Sequence, residues 1–519
     1  MKRMFTLTKS KYRDGITCPK LLWYKINEPN NPLLIPDEYS QIRMDGGNKV
    51  GELARKLYPD GILIERVPKD AEATYKKTLE AMKQRKPLFE AGFIYKNAYA
   101  LADIMLPVGT DEWDLLEVKA KNSIDGKDPC VIGDNVNINC ADVAFQKYTY
   151  LGAKVNIRNA NILHLNEKYK YDGKKIDIKK LFITADKYKD PDYKFNVQKE
   201  INGHLPQVEN NMKEIEKYVS GNKPPQVPFN RNCKDCAMNS ECTKILPEGN
   251  VLYLRGDPKG IRFQMLKEGI TRLADIPITS AITGYKIDQI NAHKAGKALI
   301  KTKLIKEFID GLNFPKQPLY FLDFETMDPA IPIFSGTHSY QKVPFQYSLH
   351  VLRKKGGQLE HYSFLAEGDE DPRIKMLPLL KKQLGKEGAI ITYNAKFERG
   401  RLKEAAEDFP EYNDWFYENI NDRIADLEDP FSKFYYYDPK QNGSTSIKAV
   451  LPLLTKTSYD DLTIGEGGKA ATEYMRVTFG DADEKDRASV RKNLEIYCKQ
   501  DTMAMVKILE KLRKICKDN

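Results

Sequence analysis

Asp323 and Glu325 stand one residue apart inside an apolar run, PLYFLDFETM, and Tyr497 and Asp501 stand four apart in EIYCKQDTMAM. Strand side chains repeat every two residues and helix side chains nearly every four, so each pair falls on one face of its element. Carboxylates buried side by side repel unless a cation or proton neutralises them, and an oxygen-only ligand set favours Mg²⁺ or Mn²⁺ over Zn²⁺. The two pairs are therefore expected to form a cage for divalent metals. Between them, AIITYNAKFERGRL is an apolar, strand-like run ending in Tyr393 and Asn394, followed by Phe397 and Glu398 at a helix start.

A different set of reactive residues occupies the first half. NAYALADIMLP alternates as a strand and ends near Asp103, a turn at Gly109 follows, and DEWDLLEVKAK places Glu117 and Lys119 on one face of a second strand. Asp103 and Glu117 suit a metal that activates water, and Lys119 suits the charge that develops on a phosphorane. Gln146 and Tyr150 in AFQKYTYLGA fall one helical turn apart, placed to hold a phosphate or the lysine. Glu52 in KVGELARKLYP is the first candidate for a further upstream acid, and Glu90 in LFEAGFIY the second.

Cys18 in ITCPKLLWYK is followed, more than two hundred residues later, by Cys233, Cys236 and Cys242 in NRNCKDCAMNSEC. The N-terminal MKRMFTLTKSKYR is polar and basic and lacks the apolar core of a secretory signal, so a cytoplasmic location is expected. In a reducing compartment a Cys-x2-Cys pair with a third Cys nearby is more readily a metal site than a disulfide network. Four thiolates suit either zinc or an iron-sulfur cluster. Cys130, Cys140, Cys498 and Cys516 lack this grouping and read as ordinary free cysteines.

Over the last two fifths of the chain, the order of DFE, YNAKFE and YCKQD resembles the DnaQ-like, DEDD-type 3′-5′ exonucleases of the ribonuclease-H-like fold. Their first motif, DxE, is matched by Asp323 and Glu325. Their second, HNxxFD, corresponds to YNAKFE, with Glu398 where the family usually carries Asp. Their third, an Asp preceded at four residues by Tyr in one branch, is matched by Tyr497 and Asp501. The resemblance implies two metal ions a little under ~4 Å apart that clamp the attacking water and the leaving oxygen of a phosphodiester. It further implies that Asp323 bridges both metals, that Glu325 and Asp501 complete one site, that Glu398 supports the second, and that Tyr497 orients or deprotonates the water. The extra methylene of Glu398 displaces its carboxylate by more than the ~0.5 Å such a site tolerates, a change that a water-mediated second-site ligand could absorb. Asp426 in RIADLEDPF is a candidate to approach the metals, whereas Ser446 and Lys448 in GSTSIKAVL are expected to be a helix cap and a solvated lysine.

Residues 1 to 245, with Asp103, the Glu117-x-Lys119 triplet and Gln146-x3-Tyr150 between flanking cysteines, resemble the RecB-family PD-(D/E)xK nucleases that carry an iron-sulfur cluster, among them CRISPR-associated adaptation nucleases. In these one cysteine precedes the nuclease core and three follow it. The resemblance implies a 4Fe-4S cluster on Cys18, Cys233, Cys236 and Cys242, with zinc as the alternative, stapling together chain ends whose closure is entropically costly.

A chain of 519 residues suggests about three domains at ~150 residues each. The expected organisation is α/β: a restriction-endonuclease-like PD-(D/E)xK domain over 1–245, a helical connector over 246–315, and a ribonuclease-H-like exonuclease domain over 316–519. No uninterrupted apolar segment approaches the ~20 residues of a membrane span, so no membrane partner is expected. The net charge of +10, much of it from lysine, agrees with contact to phosphate backbones and equally with a solubilising surface. Tyr435, Tyr436 and Tyr437 are candidates to stack on bases, with strand packing at least as good a reading. The expected activity is metal-dependent phosphodiester hydrolysis of DNA in end processing, repair or defence. The alternatives are an exoribonuclease of RNA turnover, a nucleic-acid-binding protein with an inactive N-terminal nuclease fold, and a structural protein without catalysis. Protein partners are not legible in the residues.

Overall fold

The computed structural model describes residues 6–122, 131–132, 136–187, 196–257 and 259–518 and is a mixed α/β protein. Its chain divides into two units, Met1–Thr243 with Pro329–Tyr340, and Lys244–Asp328 with Gln341–Asn519. The stretch expected as a separate connector thus falls within the second unit.

In the first unit, alternation along the sequence produces a seven-stranded sheet. Its strands are β1 (Leu7–Thr8), β2 (Ile62–Leu63), β3 (Leu88–Tyr95), β4 (Ala98–Val108), β5 (Glu112–Lys119), β6 (Asn156–Leu165) and β7 (Phe182–Thr184). The order is β2-β3-β4-β5-β6-β7, with β1 added to β4. Ala98, Ala100 and Ala102 of β4 are buried, and such small side chains leave room for α1 (Lys9–Thr17) and for the bulky residues of a covering helix, Ile138–Gly152. There Tyr12 stacks on Phe145 and Tyr150 packs against Phe93, each pair with ring centroids 4.7 Å apart. Burying one such aromatic contributes ~1.5–3 kcal/mol. The opposite face, with Ile104, Leu116 and Leu163, is covered by Val50 and Ala54 of the helix Glu38–Arg55. Residues 329–340 complete this unit: Gly336 N–H donates to Tyr171 O at 2.7 Å and Tyr171 N–H to Thr337 O at 2.9 Å.

In the second unit a five-stranded sheet is built from β8 (Leu319–Met327), β9 (Val343–Leu352), β10 (Leu359–Leu365), β11 (Ala389–Thr392) and β12 (Ile424–Asp426), in the order β10-β9-β8-β11-β12. β8 is central, antiparallel to β9 and parallel to β11. Tyr320, Leu322 and Phe324 join a core with Leu377, Leu380 and Leu402 from the helices Pro372–Leu384 and Ala395–Asp408. By the two-residue period, Asp323 and Glu325 face the other side, where the long helix Glu484–Asp518 packs. No helix among the described residues is long and apolar enough to cross a membrane.

Candidate metal centres

The side of β8 opposite its apolar core brings Asp323 and Glu325 against Asp501, one carboxylate oxygen of each lying within 4.8 Å of the others. A register shift in the pairing with β9 falls directly after Glu325, a bulge that re-aims side chains at this strand end. Burial, then the neighbouring carboxylates, raises the proton affinity of Asp323 and Glu325 well above the ordinary carboxylate range. Asp501 is pushed up to about 6 by burial, held back by hydrogen bonds from Tyr459 and Tyr497 and by the charge of Lys448. Crowded carboxylates short of compensating charge, each offering a hard oxygen, fit a divalent cation.

Four further side chains surround the triad. Tyr459 donates its hydroxyl to Asp501 Oδ1 at 2.6 Å, and the buried Tyr497 packs edge-on to Tyr459 with centroids 6.3 Å apart. Lys448 Nζ sits 5.8 Å from both ring centroids, so it is held over the aromatic pair and is not the solvated lysine that was expected. Cys498 Sγ donates to Asp323 Oδ2 at 3.7 Å and is likewise no ordinary free cysteine. Tyr459 and Cys498 carried no usable sequence signal, although Cys498 adjoins Tyr497.

Glu398 lies in the first turn of Ala395–Asp408, buried, with Oε2 lacking a hydrogen-bond partner among the described residues. Burial and then Asp426 push its carboxyl up to about 8, against Arg401. It is outside the 4.8 Å cluster, but its charge acts on Asp323 and Glu325. Asp426 caps that helix: its Oδ1 accepts Asn394 N–H at 3.0 Å and Glu428 N–H at 2.9 Å, and its Oδ2 accepts Ala395 N–H at 2.9 Å. The capping fixes Asn394, whose φ of +71° turns the chain from β11 into the helix. Ser446 occupies an N-cap position but its side chain makes no capping bond. Tyr436 and Tyr437 are buried strand residues, and the Tyr437 hydroxyl meets His293 Nε2 at 3.0 Å.

In the first unit, Asp103, Glu117 and Lys119 come together beside a cavity of about 590 Å³ that Lys9, Glu52 and Glu90 also line. Asp103 Oδ2 accepts Val118 N–H at 2.7 Å, which ties β4 to β5 at the site. Glu90 has a φ of +58° and is skipped in the pairing of β3 with β4, where Phe89 faces Ile104 and Ala91 faces Ala102. The register is continuous on either side, so Glu90 stands opposite Asp103, and Glu90 is paired with Arg66.

Glu117 is the hub. Its Oε1 meets Lys9 Nζ at 2.5 Å and Lys119 Nζ at 2.9 Å, and its Oε2 accepts from Gln146 at 2.5 Å. Burial alone raises a carboxyl, but Lys119 and Lys9 together hold Glu117 far below the usual range. Burial and Glu117 push Asp103 the other way, to about 7. Lys119 stays charged despite burial because Glu117 and Asp142 face it, the latter at 2.9 Å. Sequence reasoning missed Lys9 and Asp142. Asp142 had a legible signal, lying four residues before Gln146 on the same helix face. Tyr150 holds neither lysine nor phosphate: it is fully buried, with its hydroxyl 3.5 Å from Ala91 O.

Cys18 sits between α1 and the helix Pro19–Asn27, Cys233 and Cys236 in a tight turn, and Cys242 in the short helix Asn239–Thr243. All four thiols are half-buried and outside any disulfide, and Cys236 and Cys242 pack against Trp23, Tyr24 and Met238. Burial raises the Cys233 and Cys236 thiols, and the thiols of the group raise them further. Cys233 Sγ accepts Asn230 N–H at 3.4 Å, and Cys236 is held by Met238 N–H. The four thiols are near enough to act electrostatically on one another, with backbone donors aimed at two of them, but no three of them offer sulfurs within 4.8 Å of one another. Cys140 is buried and Cys516 half-buried, while Cys130 lies outside the described residues.

Residues 320–446, which carry Asp323, Glu325 and Glu398, match the family model described as a domain of unknown function, DUF2779. The chain is 25% identical over 265 residues to the uncharacterized protein UU173 of Ureaplasma parvum, covering 46% of this chain and 38% of that protein. It is 27% identical over 216 residues to the uncharacterized protein MG366 homolog of Mycoplasma pneumoniae, covering 37% of this chain and 32% of the relative. The match thus spans less than two fifths of either relative's length. No solved structure matches the chain significantly.

Proposed function

We propose that this chain is a metal-dependent nuclease that hydrolyses phosphodiester bonds of DNA in end processing, repair or defence. On this reading the second unit holds a DEDD-type 3′-5′ exonuclease site and the first a PD-(D/E)xK site backed by a thiolate-held 4Fe-4S cluster. The observation that carries it is the convergence of Asp323, Glu325 and Asp501, distant in sequence, within 4.8 Å. Acids on the central strand of a five-stranded mixed sheet support the ribonuclease-H-like frame. Asp103, Glu117 and Lys119 on paired strands, joined by Gln146 from a helix, support the restriction-endonuclease-like one.

Asp323, Glu325 and Asp501 would hold Mg²⁺ or Mn²⁺, which supplies Lewis acidity toward water and phosphate oxygens. Around that chemistry the protein's own groups have separate tasks. Tyr497 orients the attacking water beside Asp501. Lys448, over the tyrosine pair, meets the negative charge of the scissile phosphate. In the first unit Lys9 and Lys119 stabilise charge as it develops on phosphorus-bound oxygens, and Gln146 keeps Glu117 in place.

The test uses anaerobically purified protein with Mn²⁺ and end-labelled single-stranded DNA and RNA of equal sequence. Asp323→Asn is expected to abolish stepwise 3′-end digestion, and Lys119→Ala to remove a second cleavage product pattern. Faster loss of RNA than DNA would reassign the substrate to RNA. Full activity in both variants would overturn the reading. Visible charge-transfer absorption that bleaches on reduction separates the cluster from colourless zinc.

A further inference from the structure

A second concavity of the first unit, of about 740 Å³, is lined by six lysines, Lys168, Lys170, Lys175, Lys179, Lys180 and Lys187, against two carboxylates, Asp172 and Asp177. Asp177 is partly committed, since its Oδ1 accepts the N–H groups of Lys179 and Lys180. Its Oδ2 also pairs with Lys180 Nζ at 3.4 Å, whereas Lys175, Lys179 and Lys187 are exposed at the hollow. Its floor is apolar and aromatic, with Leu163, Tyr169 and Phe182.

The position of this hollow follows from two shared elements. Gly51 and Arg55 of the helix Glu38–Arg55 line the acidic cavity, and Leu57, two residues past the end of that helix, lines the basic one. On the sheet, Val118 lines the acidic cavity and its register partner on β6, Leu163, lines the basic one. Neighbouring strands lie ~4.8 Å apart, so the two hollows adjoin on one face of the unit.

We propose that this basic hollow is a track for a single strand of nucleic acid, seating the phosphates of nucleotides a few positions from the bond at Asp103 and Glu117. The proposal rests on the nuclease reading above. Lysines give sequence-independent phosphate contacts, and the floor offers bases an apolar surface. The clustering of like charge in a concavity, rather than on a flat face, focuses the attraction for a polyanion.

The test is fluorescence anisotropy with a labelled strand of about 12 nucleotides, as DNA and as RNA, a length one binding domain spans. All proteins carry Glu117→Gln and Asp323→Asn so that nothing is cleaved. Lys175, Lys179 and Lys187, all exposed, are changed together to Glu. A control with the same charge change replaces the exposed Lys213, Lys217 and Lys223. At ~0.7 per phosphate contact, the groove variant's log K against log salt is expected to flatten by about 2, with affinity lowered about ten-fold or more, while the control changes little.

Equal effects of the two triple variants would overturn the track, as would competition by polyglutamate as effective as that of the strand. Cleavage is measured separately on chains with intact acids. Loss of Mn²⁺-dependent cleavage in Glu117→Gln, with no binding difference between the triple variants, removes the track and keeps the nuclease. The binding difference without any cleavage by the unaltered chain keeps the track and removes the nuclease.

Discussion

The thiol of Cys498 donates to Oδ2 of Asp323, linking the long helix Glu484–Asp518 to the central strand at the residue proposed to bridge two metals. A net hydrogen bond of this kind contributes ~1 kcal/mol. Cys498→Ala is expected to weaken Mn²⁺ binding about five-fold at constant fold, and Cys498→Ser to restore it. Calorimetric titration of Mn²⁺ into the three proteins checks this, and equal affinities would show that Asp323 is oriented by other contacts.

The acid clusters make a pH prediction with a definite sign. Glu398 is raised to about 8 and Asp103 to about 7, and Asp323 and Glu325 are raised well above their ordinary range. Above pH 6 the folded chain therefore holds protons that the unfolded chain has released, so stability falls as pH rises through 7 and 8. The lowered histidines, His350 at about 4 among them, act only below their ordinary value of 6.5 and so leave this window clear. Metal-free protein is expected to melt at a higher temperature at about pH 7 than at about pH 8.5, with Mn²⁺ narrowing the gap. A flat profile in EDTA would contradict the crowding of these carboxylates.

Glu117 behaves oppositely. Held low by Lys119 and Lys9, it favours the folded state above the ordinary carboxylate range and loses that contribution as pH falls below it. Lys9→Met removes one of two ammonium groups from a buried carboxylate, a loss of order 1–3 kcal/mol. The expected result is a lower melting temperature at neutral pH and a Glu117 titration moved upward, read by NMR of a carboxyl-labelled sample. Asp142→Asn should weaken the hold on Lys119 in the same way and slow cleavage at the first-unit site while sparing digestion at Asp323.

On the proposed cluster, replacing Cys236 by Ala is expected to remove the visible absorption of the anaerobic protein and to lower its melting temperature by several degrees, because a group held by the four thiols would tie the helices after β1 to the segment after β7. An unchanged spectrum and melting curve would mean that Cys236 ligates nothing.

Positions whose neighbours lie close in sequence were the legible ones. Asp323, Glu325 and Asp501 stood out because strand and helix periods place them, and the strand pair around Gly109 follows from alternation and a turn residue. The contacts made by side chains from remote segments were not legible. Lys9 reaches Glu117 from the first helix, and Tyr459 reaches Asp501 from a loop, and neither residue type is unusual at its position. Tyr150 illustrates the converse: its spacing from Gln146 is right for one helix face, but the small alanines of β4 open a hollow beneath that face, and the ring fills it. Asp426 was read as a ligand candidate because it is acidic and near, whereas three backbone N–H groups at a left-handed turn occupy its oxygens.

The hydrogen bonds that the Tyr171 backbone accepts from Gly336 and donates to Thr337 carry a practical lesson for dissecting this molecule. A truncated chain stopping at 243 would keep Tyr171 while deleting both of its partners, together with the Tyr340 hydroxyl that reaches the carbonyl of Ala120, the residue directly after β5. Weak cleavage by such a fragment would therefore report the missing brace next to Lys119 and not the competence of its acids, so the two activities are best separated by point substitutions in the intact polypeptide.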